Sequence, residues 1–105
     1  MMQGVCLKFF VTETQRQSGQ LLYEWLLEEA KRLGVPGGSV FRATEGYGRH
    51  GRLHKETFFE LAGDLPLEVE VVLSAEQANT LLGLIRQENL QLFYVKMPAE
   101  YGVTG

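Results

Sequence analysis

The feature that most constrains this chain is a strand pattern that runs directly into a helix signal. Over residues 65–73, Leu65, Leu67, Val69, Val71 and Leu73 alternate with Pro66, Glu68, Glu70 and Val72. That period of two is the signature of a strand with one buried face. Ser74 and Gln77 follow at once in the Ser-x-x-Gln spacing of a capping box, in which hydroxyl and amide satisfy two orphan backbone donors reciprocally. Ala78, Leu81, Leu82 and Ile85 then share one face of a 3.6-residue period. An apolar-rich strand over 90–97 completes the unit. Pro98 is expected to end it and leave 98–105 as a C-terminal tail.

The N-terminal half runs in the same order. In a strand over 5–12, Val5, Leu7, Phe9 and Val11 point one way and Cys6, Lys8, Phe10 and Thr12 the other. After a polar stretch, Ser18 is expected to be the N-cap of a helix. That helix carries Leu22, Trp25, Leu26, Ala30 and Leu33 on one face. Its glutamates precede Lys31 and Arg32, which suits the helix dipole. Gly34 is its expected stop, with Pro36 just beyond. A Pro-Gly-Gly turn leads to a second strand over 39–47.

A long loop, 48–63, then separates the second strand from the third. It is too long for a hairpin turn, and loops of that size within a compact domain tend to be functional or mobile. The order is strand, helix, strand, loop, strand, helix, strand. That is the split βαβ, or ferredoxin-like, arrangement: an α+β sandwich of a four-stranded antiparallel sheet with two helices on one face. At 105 residues the chain has room for one domain, expected over 1–105.

One mismatch is informative. With both helices on one sheet face, the other face of a monomer should be polar. Yet the last strand is apolar on both sides, with Leu92 and Tyr94 on one and Phe93, Val95 and Met97 on the other. The first strand also sets Cys6 and Phe10 opposite its main apolar row. An exposed apolar face normally marks an interface, so a homo-oligomer that buries it is expected. The bland alternative is a few tolerated exposed apolar side chains.

Composition removes several function classes. Ten Lys and Arg against 13 Asp and Glu leave a formal charge of −3, which argues against a nucleic-acid coat or a polybasic membrane anchor. The single cysteine, Cys6, allows neither an intrachain disulfide nor a thiolate zinc cluster within one chain, and reads as a buried small hydrophobe. No stretch approaches the ~20 apolar residues of a membrane span. The N-terminus lacks the basic-then-apolar order of a secretory signal, so a cytoplasmic protein without direct membrane insertion is expected.

Against that acidic average, both histidines and three of the ten basic residues fall within 49–55. The candidate ligand-binding residues are Arg42, Glu45, Gly46, Gly48, Arg49, His50, Gly51, Arg52 and His54. The glycines permit close backbone approach and anion-binding nests. Arg49 and Arg52 offer planar forks suited to phosphate or carboxylate. His50 and His54 can donate, accept or ligate a metal. Together they describe an anion site, most economically for phosphate, although no Gly-Lys-Ser/Thr of a P-loop occurs.

Two other readings stay open. The segment could be a solvated loop, with glycine for flexibility and charge for solubility. It could also hold a metal through His50 and His54, with Glu45 and Glu56 as oxygen donors, although two histidines are fewer than the three protein ligands of a typical catalytic zinc site. No catalytic residue is expected: there is no Gly-x-Ser-x-Gly, and nothing distinguishes Glu45 from an ordinary ion-pair partner. Gly46-Tyr47-Gly48 is too little of an RNA-recognition pattern to expect a nucleic acid.

The run Arg42-x-x-Glu45-Gly46-Tyr47-Gly48, continuing through Arg52-Leu53-His54, resembles the signature of the PII-like family known as domain of unknown function 190. So do Ser18-Gly19-x-x-Leu22-Tyr23-Glu24 and Asp64-Leu65-Pro66. The resemblance covers about residues 7–95. It implies similarity to the PII signal-transduction proteins: a homotrimer of ferredoxin-like subunits, a long loop between the second and third strands that contacts a regulatory partner, and effector nucleotides in clefts between subunits near the loop base. The implied partner is a membrane transporter or an enzyme. No cofactor is implied beyond an adenine nucleotide effector. The chain departs from PII proteins at Arg86-Gln87-Glu88-Asn89, where those carry Gly-Asp-Gly-Lys, and in its C-terminus, which lacks their basic phosphate-gripping loop. A smaller anion is therefore implied no less than ATP: an adenine mononucleotide, a cyclic nucleotide or bicarbonate.

Overall fold

The structure is a computed structural model that describes residues 1–47, 53–55 and 66–105. Its elements, in chain order, are β1 (Met2–Thr12), β2 (Arg16–Gln17), β3 (Gln20–Leu21), α1 (Leu22–Arg32), β4 (Gly38–Arg42), β5 (Glu45–Tyr47), β6 (Leu53–Lys55), β7 (Pro66–Leu73), α2 (Ala75–Gln87) and β8 (Phe93–Tyr101). Four strands form one sheet in the order β4-β7-β1-β8, with every neighbouring pair antiparallel. Strands β4 and β1 therefore flank β7 in parallel, joined through α1, and β7 and β8 flank β1 in parallel, joined through α2. These two interlocked βαβ units are the ferredoxin-like α+β fold that the element order predicts.

Period-two alternation sets the register. Leu7 lies opposite Val71, Phe9 opposite Val69 and Val11 opposite Leu67, and all six are buried. Leu22, Trp25, Leu26 and Ala30 of α1, with Ala78, Leu81, Leu82 and Ile85 of α2, close over this face. Among the described residues no polar or charged residue is buried. Burial alternates without a break along β7, as its sequence requires.

The helix ends follow from local chemistry. Ser74 Oγ accepts from the Gln77 backbone N–H at 3.0 Å while Gln77 Oε1 accepts from the Ser74 N–H at 3.0 Å. The same Gln77 donates through Nε2 to the Leu33 carbonyl at 3.2 Å, so the cap of α2 also ties the two helices together. Helix α1 ends on Gly34 at φ 86°, with Val35 N–H donating to the Ala30 carbonyl and Gly34 N–H to that of Lys31. Helix α2 ends in the same way on Asn89 at φ 57°, with Leu90 donating to Ile85 and Asn89 to Arg86. Both are Schellman motifs, and the left-handed residue is what lets the last carbonyls find partners.

Several sequence expectations need correction. Ser18 is no N-cap: Ser18 (φ 52°) and Gly19 (φ 81°) form the turn of the small β2–β3 hairpin, the pair of positive φ angles typical of a two-residue loop. Helix α1 starts after Leu21, which makes no side-chain cap bond, and Leu22 N–H donates to the Gln15 carbonyl at 2.7 Å instead. The expected second strand over 39–47 is broken at Ala43-Thr44 into β4 and β5. Pro98 does not end the last strand. It lies opposite Val5 in β8, which continues to Tyr101, so 98–101 is strand and not tail. Strand β8 is a sheet edge, where proline's missing N–H costs no ladder bond if it faces outward. Leu90 and Leu92, read as strand, instead belong to the connection after α2.

Among the described residues, none of the helices covers the second face of the sheet. Across it, Phe41, Glu68, Phe10 and Phe93 stand in one row on four neighbouring strands. Phe41 is 52% exposed, Phe10 42% and Phe93 60%. The Phe10 and Phe93 rings lie 5.6 Å apart between centroids at 52°. Lys8 bridges to Glu68 at 3.7 Å beside them. Cys6 faces the same way opposite Met97 and is half-buried, not a core residue. The apolar second face that the strand patterns imply is therefore present.

Candidate functional site

The site is built where the sheet ends at Arg42. This residue closes β4 opposite Leu67. The next amide, Ala43 N–H, donates to the Pro66 carbonyl at 3.0 Å, and the chain then turns away from the sheet. Glu45, Gly46 and Tyr47 re-enter a ladder with β6, in which Glu45 lies opposite Lys55, Gly46 opposite His54 and Tyr47 opposite Leu53. The expected loop over 48–63 thus contains β6, one strand of a short antiparallel ribbon.

Between this ribbon and the sheet end lies a cleft of about 410 Å³. Arg42, Glu45 and Gly46 form part of its wall, with Phe10, Phe41 and Glu68 from the open sheet face. A second cleft, of about 350 Å³, is lined by Glu13, Tyr23, Val40, Arg42 and Leu67. Arg42 therefore stands between the two. Its Nη2 donates to Glu13 Oε1 at 3.3 Å, with the arginine side chain 51% and the glutamate 34% exposed. An ion pair so open to water contributes at most about 1 kcal/mol. The turn that carries Glu13 is held by Thr12 N–H donating to Gln15 Oε1 at 2.7 Å.

Chemically, the larger cleft joins an apolar, aromatic wall to Arg42, whose guanidinium is engaged by Glu13 at the smaller cleft. A planar ring fits the first and a phosphate or carboxylate the second, since a guanidinium presents five donors in a fixed fork. Cys6 is poorly suited to act as a nucleophile, because burial first and the Glu70 carboxylate second push its thiol above the usual range.

Of the candidate residues named from sequence, Arg42, Glu45 and Gly46 come together around this cleft, and the backbone of His54 lies across the ribbon from Gly46. Gly48, Arg49, His50, Gly51 and Arg52 lie outside the described residues, and so does Glu56. The metal pair of His50 and His54 is consequently neither joined nor separated. Among the described residues, no three His, Cys, Asp or Glu side chains cluster closely enough to hold a metal ion. Among the same residues no helix is long and apolar enough to cross a membrane. Sequence reasoning missed Glu13, Phe41 and Glu68 as neighbours of the site. Phe10 could have been found, because it already stood on the unexplained apolar face. Glu13 could not, because it meets Arg42 only across β7, 29 residues away in sequence.

Comparison with known proteins agrees with this architecture. Residues 4–91 match the DUF190 family model, described as "Uncharacterized ACR". A UPF0166 protein of Aquifex aeolicus is 34% identical, the match covering 85% of this chain and 92% of the relative. A UPF0166 protein of Methanocaldococcus jannaschii is 30% identical over 78% of this chain and 75% of its own length. Among solved structures, CPII, a nitrogen regulatory PII-like protein from Thiomonas intermedia K12 bound to ADP, AMP and bicarbonate, superposes with a TM-score of 0.68 at 14% identity, covering 96% of this chain and 97% of CPII. A Thermus thermophilus protein classed as PII-like superposes with a TM-score of 0.57 at 22% identity, over 94% and 90% of the two chains. The fold is that of the PII-like proteins, and the chain belongs to the DUF190 family.

Proposed function

We propose that this protein is a PII-like regulatory subunit and not an enzyme, one that binds a small anionic effector, an adenine nucleotide, in a cleft walled by Arg42. The observation that carries this reading is the cleft itself. It sets an aromatic wall beside Arg42, whose half-exposed guanidinium is tied to Glu13 by one exposed ion pair, close in sequence to the 48–63 segment. The ADP and AMP bound to CPII, a protein of the same fold, support the choice of ligand.

The cleft opens beside the exposed Phe10 and Phe41, so a neighbouring subunit packed on that face would complete it. We take the assembly to be a homotrimer, cytoplasmic in location. The segment 48–63 lies in sequence between Gly46 and Pro66, both on the cleft wall. That suits it to present an effector-dependent surface to a regulated protein, a transporter or an enzyme.

Thermal unfolding with ADP, AMP, ATP, cyclic AMP and bicarbonate tests the proposal. A ligand at 100 times its dissociation constant stabilises the folded state by about 2.7 kcal/mol. The expected result is such a shift for at least one adenine nucleotide and its loss in Arg42→Gln. No shift across the panel would refute the proposal.

A further inference from the structure

The reading of the Arg42 cleft as an anion site leads to a regulatory consequence, which rests on that reading. Arg42 is not idle. It is held by Glu13, at 3.3 Å, across the first residues of β7. Glu13 lines the smaller cleft and not the larger; Arg42 follows Phe41 in β4 and so faces the opposite side of the sheet, with Val40 and Leu67, where Glu13 holds it. We infer that Glu13 is a built-in competitor for the effector anion: binding draws Arg42 off Glu13 and so couples occupancy of the cleft to the turn at residues 13–17.

Three observations support this. The pair is half-exposed and made by a single Nη2 contact, so it is weak enough for a phosphate to displace. Among the described residues Arg42 pairs with Glu13, while Glu68, beside the aromatic wall, pairs with Lys8 at 3.7 Å. Glu13 also sits in a turn anchored by Thr12 N–H to Gln15 Oε1 and Leu22 N–H to the Gln15 carbonyl. The second of these is the contact that starts α1. Freeing Glu13 therefore reaches the β2–β3 hairpin and the head of α1, a second surface distinct from the 48–63 segment. A carboxylate close to a bound anion disfavours it by like-charge repulsion, and its removal should strengthen binding.

Equilibrium binding of ADP and AMP to the full chain, to Glu13→Gln and to Glu88→Gln tests the inference. Glu88 is exposed at the end of α2, so its variant reports the effect of net charge alone. Glu13→Gln should bind about two- to fivefold more tightly than the parent, the scale set by a half-exposed ion pair, and Glu88→Gln should match the parent. Amide hydrogen exchange over residues 13–17 should quicken when nucleotide binds the parent and should not respond in Glu13→Gln. Unchanged or weaker binding by Glu13→Gln, or exchange that ignores ligand in the parent, overturns the competitor role while leaving the site in place. Failure of both parent and Glu13→Gln to bind either nucleotide overturns the site itself.

Discussion

The exposed aromatic row on the second sheet face makes a quantitative prediction through Phe93. Its side chain is 60% exposed in the isolated subunit. An aromatic side chain presents about 200 Å², so about 120 Å² of Phe93 is open to solvent. At about 25 cal/mol/Å², covering that area is worth about 3 kcal/mol per subunit. Replacing Phe93 with Ser removes this contribution three times over in a trimer, about 9 kcal/mol, which lowers the association constant by roughly a million-fold. The subunit itself should lose little. In the described fold the Phe93 ring meets the Phe10 ring, a contact worth about 0.5–1.5 kcal/mol. Sedimentation velocity at micromolar concentration separates the two effects. The parent chain should run as a trimer and Phe93→Ser as a folded monomer with intact far-ultraviolet circular dichroism. A parent that is already monomeric, or a variant that assembles as tightly as the parent, would refute the reasoning.

Three further outcomes are expected. Ser74→Ala removes one half of the capping box and should cost about 1 kcal/mol in urea denaturation; an unchanged midpoint would show that the cap contributes nothing. Gly4→Ala should be far worse, at least about 2 kcal/mol, because a Cβ there would collide with the Leu73 carbonyl and meet the Tyr101 ring at 2.9 Å, inside the β1 pairing; normal stability would mean that β1 does not pack as described. Cys6 should react with iodoacetamide more slowly than the unfolded chain at pH ~8.5, with a rate midpoint above the ordinary thiol range, since burial disfavours its thiolate. The raised thiol favours the folded state fully below the unfolded pKa, and this contribution fades as pH climbs through the folded one. Alkylation at the rate of the unfolded chain would contradict that environment.

Elements whose periodicity and caps agree were legible from the chain alone. Strand β7 is the clearest case: alternation and burial coincide at every described position, and the Ser74–Gln77 pair that follows forms as written. The misread elements are those in which local chemistry had two uses. Ser18 has a good N-cap side chain, yet Ser-Gly is also a turn pair, and the hairpin uses it that way. Pro98 breaks a central strand but is tolerated at an edge, and edge position depends on the order of strands, which no local pattern states. The site was half legible for a similar reason. Arg42, Glu45 and Gly46 are close in sequence and stand out as a cluster. Glu13, Phe10 and Glu68 reach the same place only through sheet register, and a tertiary pairing such as Arg42 with Glu13 leaves no mark in local spacing.

The central claim, an adenine nucleotide held in each subunit cleft by Arg42, is tested most directly by equilibrium dialysis of labelled ADP and AMP against the assembled protein and its Arg42→Gln variant. Saturable binding of at least one of the two is expected at one site per chain, lost in the variant although it assembles normally. Absence of saturable binding to the parent, or equal binding by Arg42→Gln, would contradict it.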